Sequence, residues 1–214
     1  MQDLEAVIFD FGRVISAQKP ESLFRSYEEA LGIPQGTLNT IMFDHPAWEE
    51  ALLGRITPGE YWRRVGPELG LATPEAVEAF RRRYDADERL NEDVAAIVRA
   101  LHGRLPLAVL SNAPLGLERW LDRWGLLPLF DVVFCSANEG VRKPFAEAYQ
   151  RTLARLGVRA QGTLFVDDAW ENVEAARNLG LQVHHFQNAG LLAEDLRSRG
   201  LLSWIDAGKP LRRN

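Results

Sequence analysis

With 214 residues, the chain is longer than the roughly 150 residues of an ordinary domain and shorter than two, which points to one domain carrying a large insertion. Its 46% apolar and 26% charged content is that of a globular protein with a real core, not of a disordered or membrane-embedded chain. The 25 basic against 30 acidic side chains leave a net charge of −5, which argues against nucleic-acid binding through phosphate-neutralising cations.

The apolar run Ala6-Val7-Ile8-Phe9 stops at Asp10, far short of a signal or membrane-spanning segment, and no basic stretch precedes it. A single cysteine, Cys135, has no internal partner and cannot build a multi-thiolate zinc site. Together these predict a cytoplasmic protein without a membrane anchor.

Five short runs rich in Val, Ile, Leu and Phe, residues 4–9, 105–110, 131–135, 162–166 and 181–186, are apolar without alternation, as buried parallel strands are. Helical patterns at 114–124, 145–156 and 171–179 alternate with the later ones and stop at Gly125, Gly157 and Gly180. Residues 16–91 break that rhythm with helical periods at 22–32, 45–53, 59–69 and 74–84 and Pro34, Pro46, Pro58 and Pro74 near the breaks. The expected fold is therefore α/β: a doubly wound, Rossmann-like parallel sheet formed by residues 1–15 and 92–214, with an α-helical cap domain, 16–91, inserted after the first strand. Such an insert emerges where open α/β sheets bind ligands, so it can act as a lid. The basic tail Lys209-Pro210-Leu211-Arg212-Arg213-Asn214 reads as a solvated end.

Residues able to carry chemistry fall at the strand ends. Asp10 follows the first strand in Phe11-Gly12-Arg13-Val14, where burial without a partner would be expensive. Ser111 and Asn112 follow the second strand and bring a hydroxyl and backbone N–H groups to a helix start, a place that favours an oxyanion. Lys143 lies after the third strand in Arg142-Lys143-Pro144. Asp167 and Asp168 end the fourth, where adjacent carboxylates repel unless a cation lies between them. Each feature alone has an ordinary reading as a turn, a cap or a solvated charge. Combined, a carboxylate nucleophile, a hydroxyl, a lysine and an acid pair suited to Mg2+ are what phosphoryl transfer asks for.

These stretches resemble the four motifs of the haloacid dehalogenase-like hydrolase superfamily, in its phosphatase branch with a helical cap inserted after the first motif. Ala6 to Val14 is similar to the first motif, Leu107 to Asn112 to the second, Arg142-Lys143-Pro144 to the third, and Leu164 to Asp168 with Asn172 to the fourth. The resemblance implies that Asp10 attacks phosphorus to form an aspartyl-phosphate, that Ser111 and Lys143 hold the phosphate, and that Asn112 supports it. It also implies Mg2+ bound by Asp10, the Gly12 carbonyl and Asp168, with Asp167 adjacent, and a small phosphorylated metabolite as substrate.

In one place the pattern departs: the usual second aspartate, two residues after the nucleophile, is Gly12, so the customary proton shuttle is missing. The resemblance extends to an Asp-x-Gly-x-Val subset, some members of which hydrolyse sugar 1-phosphates, and a sugar phosphate is accordingly expected. Asp44 and His45 in the insert are candidate replacements for the missing acid. Arg13 either touches an anionic substrate or pairs with an acid, and Trp120 and Trp124 read as core packing. Two alternatives remain: a metal-free dehalogenase that directs Asp10 at carbon, and a phosphate- or partner-binding module with a decayed site.

Overall fold

The computed structural model describes residues 4–202, so the basic tail lies outside the described residues. Five parallel strands, β1 (Ala6–Phe9), β2 (Leu107–Ser111), β3 (Val132–Cys135), β4 (Thr163–Asp167) and β5 (Gln182–His185), form one sheet in the order β3-β2-β1-β4-β5. All five coincide with the apolar runs of the sequence. β1 is central and pairs on both sides, Phe9 with Val109 of β2 and with Val166 of β4.

Because side chains alternate along a strand, β1 divides its residues between two layers. Val7 and Phe9 pack under α6 (Glu92–Leu101), α7 (Leu117–Arg123) and α11 (Ala189–Ser198), whereas Ile8 packs with Tyr149 and Leu153 of α9 (Ala146–Leu156) and Ala176 of α10 (Trp170–Asn178). Helices therefore cover both faces, and the strand order turns at β1 and β4. Open sheets bind ligands at the carboxyl ends of strands at such a switch point.

Between β1 and β2 lie α1 (Glu21–Leu31), α2 (Leu38–Phe43), α3 (Pro46–Leu52), α4 (Pro58–Val65) and α5 (Pro74–Ala86). Prolines open α3, α4 and α5, where no helical N–H is lost. Thr57 and Thr73 cap α4 and α5 by accepting from Glu60 N and Ala76 N. Their apolar faces close a separate core around Tyr27, Trp62 and Phe80. The two connections to this helical unit run antiparallel: Ser16 bridges Leu90, Ala17 N donates to Arg89 O at 2.8 Å, and Glu88 receives Ser16 Oγ and Lys19 Nζ. Among the described residues no helix is long and apolar enough to cross a membrane.

Candidate active site

Asp10 leaves β1 with its main chain still paired to β4, its N–H donating to Val166 O at 2.8 Å. Phe11 to Ile15 then form one irregular turn closed by Ser16 N donating to Phe11 O at 2.8 Å. Within it Gly12 is extended (φ −63°, ψ 128°), and Arg13 takes the left-handed conformation (φ 58°), uncommon for a residue other than glycine. The turn holds the Asp10 side chain in place, with Phe11 N donating to Oδ1 at 2.7 Å.

Three parts of the chain converge on this carboxylate. Lys143 Nζ lies 2.7 Å from Asp10 Oδ1 and 2.6 Å from Asp167 Oδ2, with a side chain only 1% exposed. Asp10, Asp167 and Asp168 each present an oxygen, all within 4.8 Å of one another. Ser111 ends β2, the strand beside β1, and is buried. The fold thus clusters Asp10, Lys143, Asp167 and Asp168 at the carboxyl ends of β1 and β4, with Ser111 at the same end of the neighbouring β2.

The adjacent aspartates are used differently, because consecutive residues at a strand end face opposite ways. Asp167 is wholly buried, and both of its oxygens are engaged: by Lys143, by Ala169 N at 2.8 Å, and by Asn172 Nδ2 at 3.1 and 3.2 Å. Asn172 is itself held by Tyr149 Oη, which donates to its carbonyl at 2.9 Å. The Asp168 carboxylate is more open and meets Arg13 Nη1 at 3.4 Å. Arg13 therefore pairs with an acid of the cluster rather than with a remote surface acid.

Burial pushes the Asp10 carboxyl up to about 7, with the Lys143 ammonium pulling the other way and Asp167 and Asp168 pushing further up. Burial and Asp167 likewise raise the Asp168 carboxyl above the usual range, against Arg13. Burial by itself would favour a neutral Lys143, but Asp10 and Asp167 outweigh it and keep the amine charged. A hard divalent cation fits this donor set, since three carboxylates face a single buried ammonium and every available donor is oxygen. Asp10 Oδ2 and Asp168 are the carboxylate oxygens least occupied by other partners.

Asn112 was expected to support phosphate, yet its amide brackets the Lys143 main chain: Oδ1 accepts from Lys143 N at 2.8 Å and Nδ2 donates to Lys143 O at 2.9 Å. The reading of His45 as an acid meets a competing role, because Nδ1 accepts from Ala47 N at the start of α3 while Nε2 faces Glu68 at 3.4 Å. Trp120 and Trp124 are half-buried, and Trp124 stacks on Phe11 with ring centroids 5.6 Å apart. Sequence reasoning missed His185, whose Nε2 lies 2.9 Å from the Asp168 carbonyl, and the contacts of Arg142. No local signal marks either, since His185 meets Asp168 only through the pairing of β4 with β5, and Arg142 meets Glu49 only where α3 of the insert packs on the β3 to α9 connection.

Residues 4–180 match the haloacid dehalogenase-like hydrolase family. A sesquiterpene phosphatase of Aspergillus oryzae is 29% identical over 198 residues, spanning 90% of this chain and 95% of that protein. A phosphatase of Mycobacterium tuberculosis is 27% identical over 222 residues, 97% of this chain and 99% of its own length. Among solved structures, a family enzyme of Bacteroides thetaiotaomicron in complex with magnesium and inorganic phosphate superposes with a TM-score of 0.69 over 87% of this chain and 96% of its own, at 16% identity. The matched family spans β1 to the end of α10 and so includes every residue of the crevice: the chain belongs to the haloacid dehalogenase-like hydrolases.

Proposed function

We propose that the protein is a magnesium-dependent phosphomonoesterase that works through an aspartyl-phosphate on Asp10, with the helical unit of residues 16–91 as its cap. The observation that carries this reading is the Asp10 carboxylate at the end of the central strand, 2.7 Å from a buried lysine and within 4.8 Å of two further carboxylates. Phosphatases among the relatives support the same reaction class.

Asp10, the Gly12 carbonyl and Asp168 would hold the cation, and Asp167 would stand behind them fixing Lys143. When bound, magnesium neutralises charge on the phosphate oxygens. A carboxylate oxygen of Asp10 attacks phosphorus as the bond to the leaving oxygen breaks, and that oxygen departs with the bonding pair. Lys143 and Ser111 hold the non-bridging oxygens, and the Asn112 clamp on the Lys143 main chain keeps the ammonium aimed. Water then attacks phosphorus as the bond to Asp10 breaks; the carboxylate returns with the bonding pair, and the water's oxygen and both its protons leave on phosphorus as dihydrogen phosphate.

Gly12 offers no proton to the leaving oxygen, which favours esters whose leaving group is already acidic, such as sugar 1-phosphates. General acid help is worth about 10²–10⁴ in rate, so alkyl phosphates should be slow. The substrate screen should also include apolar alkyl and terpenoid phosphates, given the name of the Aspergillus relative. The test is phosphate release from an aryl phosphate by wild type and Asp10→Asn, with magnesium and with EDTA. Magnesium-dependent release that vanishes in the variant is expected. A folded, magnesium-loaded protein inert toward a broad panel of esters would overturn the proposal, and chelator-insensitive release of chloride from 2-chloropropionate would replace it with dehalogenation.

A further inference from the structure

The β3 to α9 connection, which carries Lys143, is also the floor on which the helical unit rests. Its first part is α8 (Ser136–Glu139), against which α3 packs. Gly54, in the turn after α3, approaches Ala137 so closely that a Cβ there would lie 1.9 Å from the Ala137 carbonyl oxygen. At the far end of the connection, Arg142 reaches both ways: Nε donates to Glu49 of α3 at 2.9 Å, and Nη1 donates to the Lys143 carbonyl at 2.9 Å. The guanidinium also lies over the Phe145 ring, 5.6 Å from its centroid. An arginine's planar fork is suited to such divergent contacts, which a lysine cannot make together.

The connection is tied equally to the second strand's loop. Ser136 Oγ receives Ala113 N at 3.1 Å, Ala137 N donates to Ala113 O at 3.3 Å, and Asn112 clamps the Lys143 main chain from that side. One segment thus touches the helical unit, the buried lysine and the loop after Ser111. We infer that Arg142 is a positioning residue: seating of the cap through Glu49 and Gly54 fixes the Lys143 main chain, so the phosphate-holding lysine is aligned only when the cap is down. The kinetic part of this inference rests on the phosphatase reading.

The Glu49–Arg142 pair is half-exposed, and pairs of that kind contribute little to fold stability. Glu49→Gln should therefore leave the thermal midpoint within about 2 °C of wild type. Amide exchange is followed in the 141–146 peptide by mass spectrometry, on the whole protein without substrate. Faster exchange in Glu49→Gln and in Gly54→Ala than in wild type is expected; unchanged exchange in both would overturn the coupling. For an aryl phosphate, Glu49→Gln and Arg142→Met should each lower kcat on the order of 10-fold with KM nearly unchanged, and Arg142→Lys should fall between wild type and Arg142→Met. The double variant should match Arg142→Met alone, because both act through one contact. Effects that multiply, or that appear in KM, would show instead that Arg142 touches substrate. Exchange is read on the protein alone, so it decides the coupling even if no ester is hydrolysed, an outcome that would overturn only the phosphatase reading.

Discussion

Removing the charge at Asp10 should stabilise the metal-free protein. The carboxyl is pushed from an ordinary 3.8 to about 7, chiefly by burial, so keeping it ionised in the folded state is unfavourable. About three pH units at 1.36 kcal/mol each come to about 4 kcal/mol. The pull of the Lys143 ammonium is already contained in that net shift, so Asp10→Asn should gain about 4 kcal/mol once the pH is above about 7. The sign follows from proton counting: between about pH 4 and pH 7 the folded chain holds a proton on Asp10 that the unfolded chain has released, so wild-type stability falls as pH rises through that window. The assay is urea unfolding in EDTA at about pH 4, 6 and 8. Asp10→Asn should differ little from wild type at the lowest pH and gain its full margin at the highest, roughly 8–16 °C in thermal midpoint for a chain of this size. Magnesium at about pH 8 should close the gap by stabilising wild type alone. A variant no more stable than wild type at high pH, or a gap independent of pH, would refute the view that Asp10 is held ionised against its surroundings.

Lys143→Met leaves the Asp10 and Asp167 carboxylates facing each other without their ammonium, and urea unfolding at neutral pH should register a loss of about 3–5 kcal/mol. The two neighbouring aspartates should separate. Asp168→Asn is expected to raise the magnesium concentration for half-activation about 10–100-fold with stability changed by less than about 0.5 kcal/mol, whereas Asp167→Asn, whose oxygens serve Lys143, Ala169 and Asn172, should cost about 2–4 kcal/mol. Gly12→Asp should fold normally, since its φ is −63° and a Cβ there meets nothing within 4 Å. Turnover of an alkyl phosphate should then rise about 10-fold or more, measured against an aryl phosphate that gains little.

β1, β2 and β4 were legible because they are buried on both faces and therefore almost wholly apolar, whereas β5, Gln-Val-His-His, is only partly buried and was marked by its flanking Leu181 and Phe186; the candidate site was legible because it is built where such runs end. Part of what escaped reading lacked a local signature. α2 spans only six residues and includes Asn39 and Thr40, weak helix formers whose helical state is decided by packing in the insert. α6 and α11 did carry a signal, Asn91 and Asn188 at their starts, each accepting from the N–H three residues on. The split between Asp167 and Asp168 follows from the strand's period of two and was readable in principle. The Glu49–Arg142 pair spans 93 positions of sequence and was not, because either residue alone is one of many exposed charges.

Gly12 and Arg13 invert the usual logic of a turn. The left-handed conformation belongs to Arg13, where glycine would be the easy choice, while Gly12 has backbone angles any residue adopts and space for a side chain. Backbone geometry therefore explains neither identity. Both act on charge in the same direction: a carboxylate is absent at residue 12, and a guanidinium beside Asp168 is added at residue 13. The surroundings of Asp10 are thus less negative than in the motif the chain resembles, and under the proposed phosphatase reading they would favour a leaving oxygen that departs as an anion over one that must be handed a proton. On this reasoning the reaction is governed by leaving-group acidity, and the rates of a series of aryl phosphates should fall steeply as the acidity of the departing phenol falls, a slope that Gly12→Asp should flatten.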